Sequence, residues 1–464
     1  MDDFWKELKE FWPLLLIVIL GYLVWRFDAI AFWVYKIAMV FLLPLAGIIF
    51  LGWLAWKLWV HYIQQDFISG IEFVLLEIIP PRDVLRSPKA MELFITNALY
   101  HWSMKGGKEE YWQGAVWFWF SLEIASIDGQ VHFYIRTPTR IRGLIETQMY
   151  AQYPQAQVKA VEDYTLGVDE ITPTSDWNGW GCEFDLIKHE AYPIKTYVDF
   201  GLDKDPKEEY KVDPISPVVE LFGSLQKGEQ MWMQIVITPS KKTYHTKGTW
   251  FGKHDWVKEA RLQVESMLKP YTRYHLDPTE PGRFAKEIRA PGFLDNNIKA
   301  MSAKSGKLGF ETGIRVMYVA KKEVFDMSSR RNLRLIWRQY AKPDCNEFDR
   351  INSSQADRYG GIMTASPKQV MVLADRMLHE FRERAFFHLP LRHHIFSQHY
   401  WKNFPIPRVI TADSWITAYV HHETFVLNTE ELATIWHFPG QILKVPTLER
   451  IESKEAAPPT NLPI

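Results

Sequence analysis

Cysteine is nearly missing from this chain: Cys182 and Cys345 are the only two in 464 residues. They leave room for at most one disulfide and show no zinc-ligand spacing, which excludes a disulfide framework and thiolate zinc modules. So few cysteines point to a reducing compartment for the folded body. An excess of charge is missing too. Lys plus Arg total 54 against 55 Asp plus Glu, a net charge of −1. No global basic field exists to hold a nucleic acid, so any such contact needs a local patch.

Phosphate-binding loops are also lacking. The nearest string to G-x-x-x-x-G-K-[ST] is Ser305-Gly306-Lys307-Leu308, with Met301 at the first glycine position and no hydroxyl after the lysine. Such a loop needs the glycines for close backbone approach and the hydroxyl for Mg²⁺, so a surface turn is the better reading. G-x-G-x-x-G, G-x-S-x-G and H-E-x-x-H are absent as well. The expectation is a chain that is not an enzyme and carries no cofactor. Eight of the fifteen histidines fall late: His379, His388, His393, His394, His399, His421, His422 and His437. A metal-dependent enzyme built on them is one alternative. Ordinary core and surface histidines are the favoured reading, because no second ligand follows His379-Glu380 at the required spacing.

What the sequence has in quantity is aromatic and apolar side chains, 15% aromatic with 20 Trp. Residues 37–56 (IAMVFLLPLAGIIFLGWLAW) run without a charge. As a helix they span about 30 Å, the hydrocarbon thickness of a bilayer. Lys36 and Lys57 bracket the run, and Trp53 and Trp56 suit the headgroup zone. Residues 11–26 are apolar up to Arg26, with Trp12 and Trp25 near their ends. They read as a shorter span with Arg26 snorkelling. A signal peptide is the other reading, opposed by the mixed charges of the first ten residues and the lack of a small-x-small cleavage site. Residues 1–62 are therefore expected to form a transmembrane hairpin with the lipid bilayer as partner. Lys and Arg counts beside the spans do not orient it.

Beyond the anchor the periodicity reads β-α-β-β-α-β over 66–166. Strands are expected at Ile71–Ile79, Trp117–Ser126, Val131–Arg136 and Gln157–Tyr164, with a hairpin turn at Asp128-Gly129. One helix starts at Ser87-Pro88 and buries Met91, Phe94, Ile95, Ala98, Leu99 and Trp102. The other starts at Thr137-Pro138 and buries Ile141, Leu144, Ile145 and Met149. This order predicts an α+β, ferredoxin-like unit. A second copy is expected over 190–355. Its strands fall at Lys195–Phe200, Gln230–Ile237, Thr312–Ala320 and Phe348–Ile351. One helix carries Val218, Val219 and Phe222, the other Leu333, Ile336, Trp337 and Tyr340. An insertion over 240–308 reads as helical at Trp256–Leu268 and at Arg283–Lys304, the latter broken near Pro291-Gly292. Residues 364–440 read as a helical and mixed C-terminal region, with helices from Ser366-Pro367 and from Thr429. Residues 441–464 form a Pro-rich tail.

Two Arg strips stand out. Arg330, Arg331, Arg334 and Arg338 fall mostly opposite Leu333, Ile336 and Trp337 on one helix, and Arg136, Arg140 and Arg142 form a shorter strip. Either could grip phosphates of a nucleic acid; a solvated helix face is the plainer reading.

Two stretches carry a resemblance. RTPTRIRGLIETQMYAQYPQAQVKAVEDY (136–164) resembles a segment in the N-terminal region of membrane-anchored, conjugation-type and HerA/FtsK-like ATPases. FVLNTEELATIWHFPGQILKVPTLERIESKEAAPPTNLP (425–463) resembles the linker those proteins carry just before the motor domain. The matching positions are descriptive and transfer no active-site residue. The resemblance implies a cytoplasmic body on the cell (inner) membrane, homo-oligomerisation, and work beside an ATPase motor on a separate chain. The resulting expectation is a non-catalytic docking component of a conjugation-like or type IV secretion-like machine. A nucleic-acid-binding membrane protein is the alternative.

Overall fold

The computed structural model describes residues 17–22, 32–33, 35–36, 38–81, 86–100, 107–203, 212–240, 244–245, 253–276, 284–288, 291–354, 367–384, 386–387 and 424–440. In chain order the elements are α1 (Leu43–Ser69), β1 (Phe73–Ile79), α2 (Lys89–Phe94), α3 (Gly107–Trp112), β2 (Phe120–Ile127), β3 (Gln130–Pro138), α4 (Arg142–Gln152), β4 (Gln157–Val161) and β5 (Trp177–Leu186). There follow α5 (Ser216–Gly223), β6 (Glu229–Pro239), α6 (Trp256–Leu268), α7 (Gly292–Ser305), β7 (Gly309–Lys321), α8 (Met327–Leu335), β8 (Phe348–Ile351), α9 (Pro367–Glu383), β9 (Phe425–Asn428) and α10 (Thr429–Ile435). They form two compact units: Met1–Ile68 with Lys105–Ala115, and Ser69–Met104 with Val116–Ile464.

The first unit is built on α1, which a π-helical turn at Ala38–Leu42 precedes. Among the described residues, Ala38–Ser69 is the one helix long and apolar enough to cross a membrane. Phe41, Ile48 and Leu51 on it are exposed. A helix apolar all round needs a surrounding apolar medium to be stable. The expected first span, 11–26, lies outside the described residues except for 17–22, which are helical.

The second unit is α+β. Its antiparallel sheet has nine strands in the order β8-β5-β7-β6-β2-β3-β1-β4, and β9 pairs with the start of β7. Asp128 and Gly129 both take positive φ, 53° and 83°, as a two-residue hairpin between β2 and β3 requires. A side chain at Gly129 would also meet the Leu225 carbonyl oxygen at 2.5 Å. The expected helical faces are buried: Met91, Phe94, Ile95, Ala98 and Leu99 from α2 and its extension, and Ile141, Ile145 and Met149 around α4. Trp102 lies outside the described residues. Together with α5, α8 and α10 these helices close one face of the sheet in a single apolar core.

Two expectations need correction. The strand expected at Lys195–Phe200 is a series of turns. Asp199 ties that backbone locally, its carboxylate accepting from the Thr196 N–H at 2.9 Å. The strand is instead β5, ahead of residue 190. Gly179 and Gly181 weaken its sequence signal, yet packing needs them: a Cβ on Gly181 would stand 2.3 Å from Met377 Sδ. Next, the segment expected to be helical over Arg283–Lys304, broken near Pro291-Gly292, is helical only beyond that break. Phe284–Ile288 is a strand paired with Thr272–Leu276, and α7 starts after Pro291. The described parts of the C-terminal region pack on both faces of the sheet. α9 covers the second face of the sheet, and β9 with α10 completes the first.

Candidate functional site

In an antiparallel ladder, directly paired residues point to the same face. On the face under α9, the register aligns Lys159, Glu77, Tyr134, Glu123, Gln234, Arg315 and Glu183 on seven neighbouring strands. One polar row thus crosses the sheet. Its middle is fully buried at Glu123, Gln234, Arg315 and Glu183.

α9 and the residue after it supply the countercharges. Arg315 donates from Nε and Nη2 to Glu183 Oε1 at 3.0 and 2.6 Å. Its Nη2 lies 3.5 Å from Glu380, which Arg376 also holds at 2.8 Å. Asn352 donates to the other Glu183 oxygen at 2.6 Å. Arg384 donates to Glu123 at 2.9 and 3.1 Å and forms an ion pair with Asp163. Glu123 also accepts from Ser121 at 2.5 Å, Tyr164 at 2.8 Å and Gln234 at 3.3 Å. Each of the four carboxylates, Glu123, Asp163, Glu183 and Glu380, has an arginine partner. Such an arrangement holds α9 on the sheet. It is poorly suited to moving protons, because each carboxylate is already committed.

The electrostatics follow the same logic. Burial alone would raise the Asp163 carboxyl, but the Arg384 charge and hydrogen bonds from Arg384 and Thr165 outweigh it and hold the group below its ordinary value. Burial and the nearby Glu123 push the Tyr164 hydroxyl well up. Arg136 points to the same face in the next row, paired with Leu75 and Ser121. Burial, with the Arg384 charge beside it, lowers Arg136 to about 10. Its guanidinium lies 4.0 Å from the centre of the Phe73 ring. Arg384 itself has φ of +54°, a left-handed backbone that a non-glycine residue adopts at a cost. The ion pairs keep it there.

On the opposite face, the stretch from β9 to residue 440 is anchored by polar contacts. Asn428 caps α10 in a reciprocal box with Glu431. Glu431 also accepts from the Ile194 N–H at 3.0 Å and pairs with Lys304 at 3.1 Å, both side chains being buried. Trp436 donates to the Glu123 carbonyl at 3.3 Å. His437 meets Asp213 at 2.9 Å.

The residues singled out from sequence fall elsewhere. Arg331, Arg334 and Arg338 are exposed on α8 and the turn after it, while Arg330 is half-buried with its guanidinium 6.0 Å from the centre of the Trp180 ring. Arg136 is half-buried, Arg140 is exposed, and Arg142 is tied to Glu146 at 2.6 Å. Trp53 and Trp56 are exposed on α1. Lys36 stands 5.1 Å from the Phe32 ring centre. Trp12, Trp25, Arg26 and the Lys57 side chain lie outside the described residues. Of the late histidines, His379 lies 3.6 Å from Asp375 and His437 is buried; the other six lie outside the described residues. Among the described residues, no three His, Cys, Asp or Glu side chains come together as metal ligands. Cys182 and Cys345 are both buried and unpaired as thiols.

Sequence reading missed Glu123, Asp163, Glu183, Arg315, Glu380 and Arg384. The signal was available for three of them. Charges inside otherwise apolar strands (SLEIASI, GCEF, GIRVMYVA) must find buried partners. The partners on α9 were not deducible from position.

A family model described as a domain of unknown function (DUF8128) matches residues 118–355, just over half of the chain, from before β2 to just past β8. No curated protein matches the chain.

Proposed function

We propose, for a chain that belongs to the DUF8128 family, that it is a membrane-anchored component acting by contact. It would dock or scaffold within a conjugation-like or type IV secretion-like translocation machine, beside an ATPase motor on another chain. The carrying observation is the helix over Ala38–Ser69, apolar and exposed, with only residues 70–72 between it and β1. A helix of that length and hydropathy matches the bilayer core. The committed carboxylates of the sheet fit a load-bearing body better than a catalytic one.

Within this reading the body is two ferredoxin-like units, and the strand order supports it. Both β4-β1-β3-β2 and β8-β5-β7-β6 follow the order fourth, first, third, second. Pairing of β2 with β6 fuses the two at their edges. Sheets of this kind offer edges and helical faces to partners. A cytoplasmic body, homo-oligomerisation and the motor partner come from the resemblance of 136–164 and 425–463.

The test is biochemical. Membranes washed with alkaline carbonate should retain the chain. The detergent-solubilised chain should hydrolyse no nucleotide alone and should co-purify with a protein that does. Release by the wash, or hydrolysis by the purified chain, overturns the proposal.

A further inference from the structure

The first unit carries a band of exposed rings that an anchoring helix alone does not need. On α1, Trp53 and Trp56 end the uncharged run, Trp59 and Tyr62 follow it, and all four are exposed. The stretch Gly107–Ala115, between α2 and β2, folds against this part of α1 in the same unit. Its helix α3 sets Tyr111 6.0 Å from Trp56, and Trp112 6.4 Å from both Trp56 and Trp59, ring centre to ring centre. The return is close. Gly114 has φ of +67°, and a Cβ there would fall 2.1 Å from the Ile63 carbonyl oxygen. Yet the rings are not hidden by their mutual contact: Trp112 is 63% exposed. An exposed aromatic cluster of this size is costly in water.

We infer that α3 is an in-plane lipid contact, seated with Trp53–Tyr62 at the headgroup level of a bilayer, where it fixes the depth and rotation of α1. This rests on the membrane reading above. The occupant follows from position and chemistry. If residues 37–56 cross the hydrocarbon, residues 53–62 occupy about 14 Å of helix at its boundary. Trp and Tyr prefer that boundary because each joins an apolar ring to a polar tip. His61, Gln64, Gln65 and Asp66 follow on α1, and Lys108, Glu109 and Glu110 precede the rings on α3. These polar groups suit the watery side of the same boundary. A protein partner would not require the rings to sit at this one level along the helix.

The experiment places single spin labels on the full chain in vesicles of phosphatidylcholine and phosphatidylglycerol. The variants are Leu45→Cys, Trp112→Cys and Leu166→Cys; the buried Cys182 and Cys345 should leave the parent chain unlabelled. Collision with oxygen is compared with collision with a water-soluble nickel chelate. The label at 45 should read as hydrocarbon and the label at 166 as water. The label at 112 should read between them, with nickel accessibility several-fold below that at 166. A label at 112 as open to nickel as that at 166, while 45 stays in hydrocarbon, overturns this inference alone. A label at 45 open to nickel overturns the membrane reading beneath it.

Discussion

The two faces of the sheet are closed by different chemistry. Under α2, α4, α5, α8 and α10, Phe94, Phe222, Trp337 and Trp436 pack with strand side chains such as Phe133, and the buried ion pair on that side, Lys304 with Glu431, joins α7 to α10 and not a helix to the sheet. Under α9, Leu378 and Phe381 pack on Trp232 and Met317, but alongside them runs the row holding Glu123, Arg315 and Glu183. An apolar face accepts any helix with a suitable stripe. A charged row accepts only the helix that brings the right countercharges, because an unpaired buried ion costs several kcal/mol. The first face therefore supplies stability, and the second selects which segment lies on it and at what register.

The comparison can be broken most strongly by removing one partner on each side. Arg384→Met should destabilise the detergent-solubilised chain by about 3–5 kcal/mol, because Glu123 is left buried and uncompensated and the half-buried Asp163 loses its partner. Trp436→Ala should cost a similar amount, about 3–5 kcal/mol, through lost contact and a cavity. The second change separates them. Adding Glu123→Gln to Arg384→Met should recover part of the loss in denaturant titration, whereas it should not rescue Trp436→Ala. Equal rescue of both, or of neither, would contradict the division. A finer test uses the left-handed backbone at 384. Both Arg384→Gly and Arg384→Ala lose the ion pairs, but glycine fits positive φ. The glycine variant should be the more stable of the two by about 1 kcal/mol, and the difference should vanish if the backbone there is relaxed.

The smallest effect is on pH. The Asp163 carboxyl is held below its ordinary value in the folded chain, so its contribution is complete above the unfolded value of about 3.9. It is lost as pH falls through the folded value. Asp213 behaves alike: burial would raise it, and the His437 charge with hydrogen bonds from His437, Ile215 and Gly440 outweigh that. Stability should thus fall on acidification below about pH 4, and Asp163→Asn should flatten that limb. An unchanged limb in Asp163→Asn would show that the pair with Arg384 does not govern it.

Much of the layout was legible in the sequence. The strands β1 to β4 and the helices α2 and α4 follow from alternation, Ser87-Pro88, Asp128-Gly129 and Thr137-Pro138, all local signals, whereas α3 was not expected. β5 was not legible, because the glycines that erase its strand signature serve neighbours outside the strand: Gly179 makes room for Ile171 and Val319, and Gly181 for Met377, nearly two hundred residues away. The ion pairs were half legible. Glu123 and Arg315 declare themselves as charges inside apolar strands, but Arg384 falls in the helix expected from Ser366-Pro367, where nothing local marks it as a buried partner. Long-range pairing of this kind has no local signature. The role of 425–440 was similarly hidden: the capping box at Asn428 and Glu431 is readable, while Lys304 and the Ile194 N–H are brought to it only by the fold.

The β2–β6 ladder has a mechanical consequence. Eight residue pairs, from Phe120 opposite Ile237 to Ile127 opposite Gln230, join the two halves in the middle of the sheet. That seam is longer than any ladder of the first half, and in the second half only the β6–β7 ladder exceeds it, so the body has no soft boundary along which to bend. Force or binding applied at the β4 margin would be felt at the β8 margin as displacement of one stiff plate, and amide exchange should be as slow along the seam as at the centre of either half.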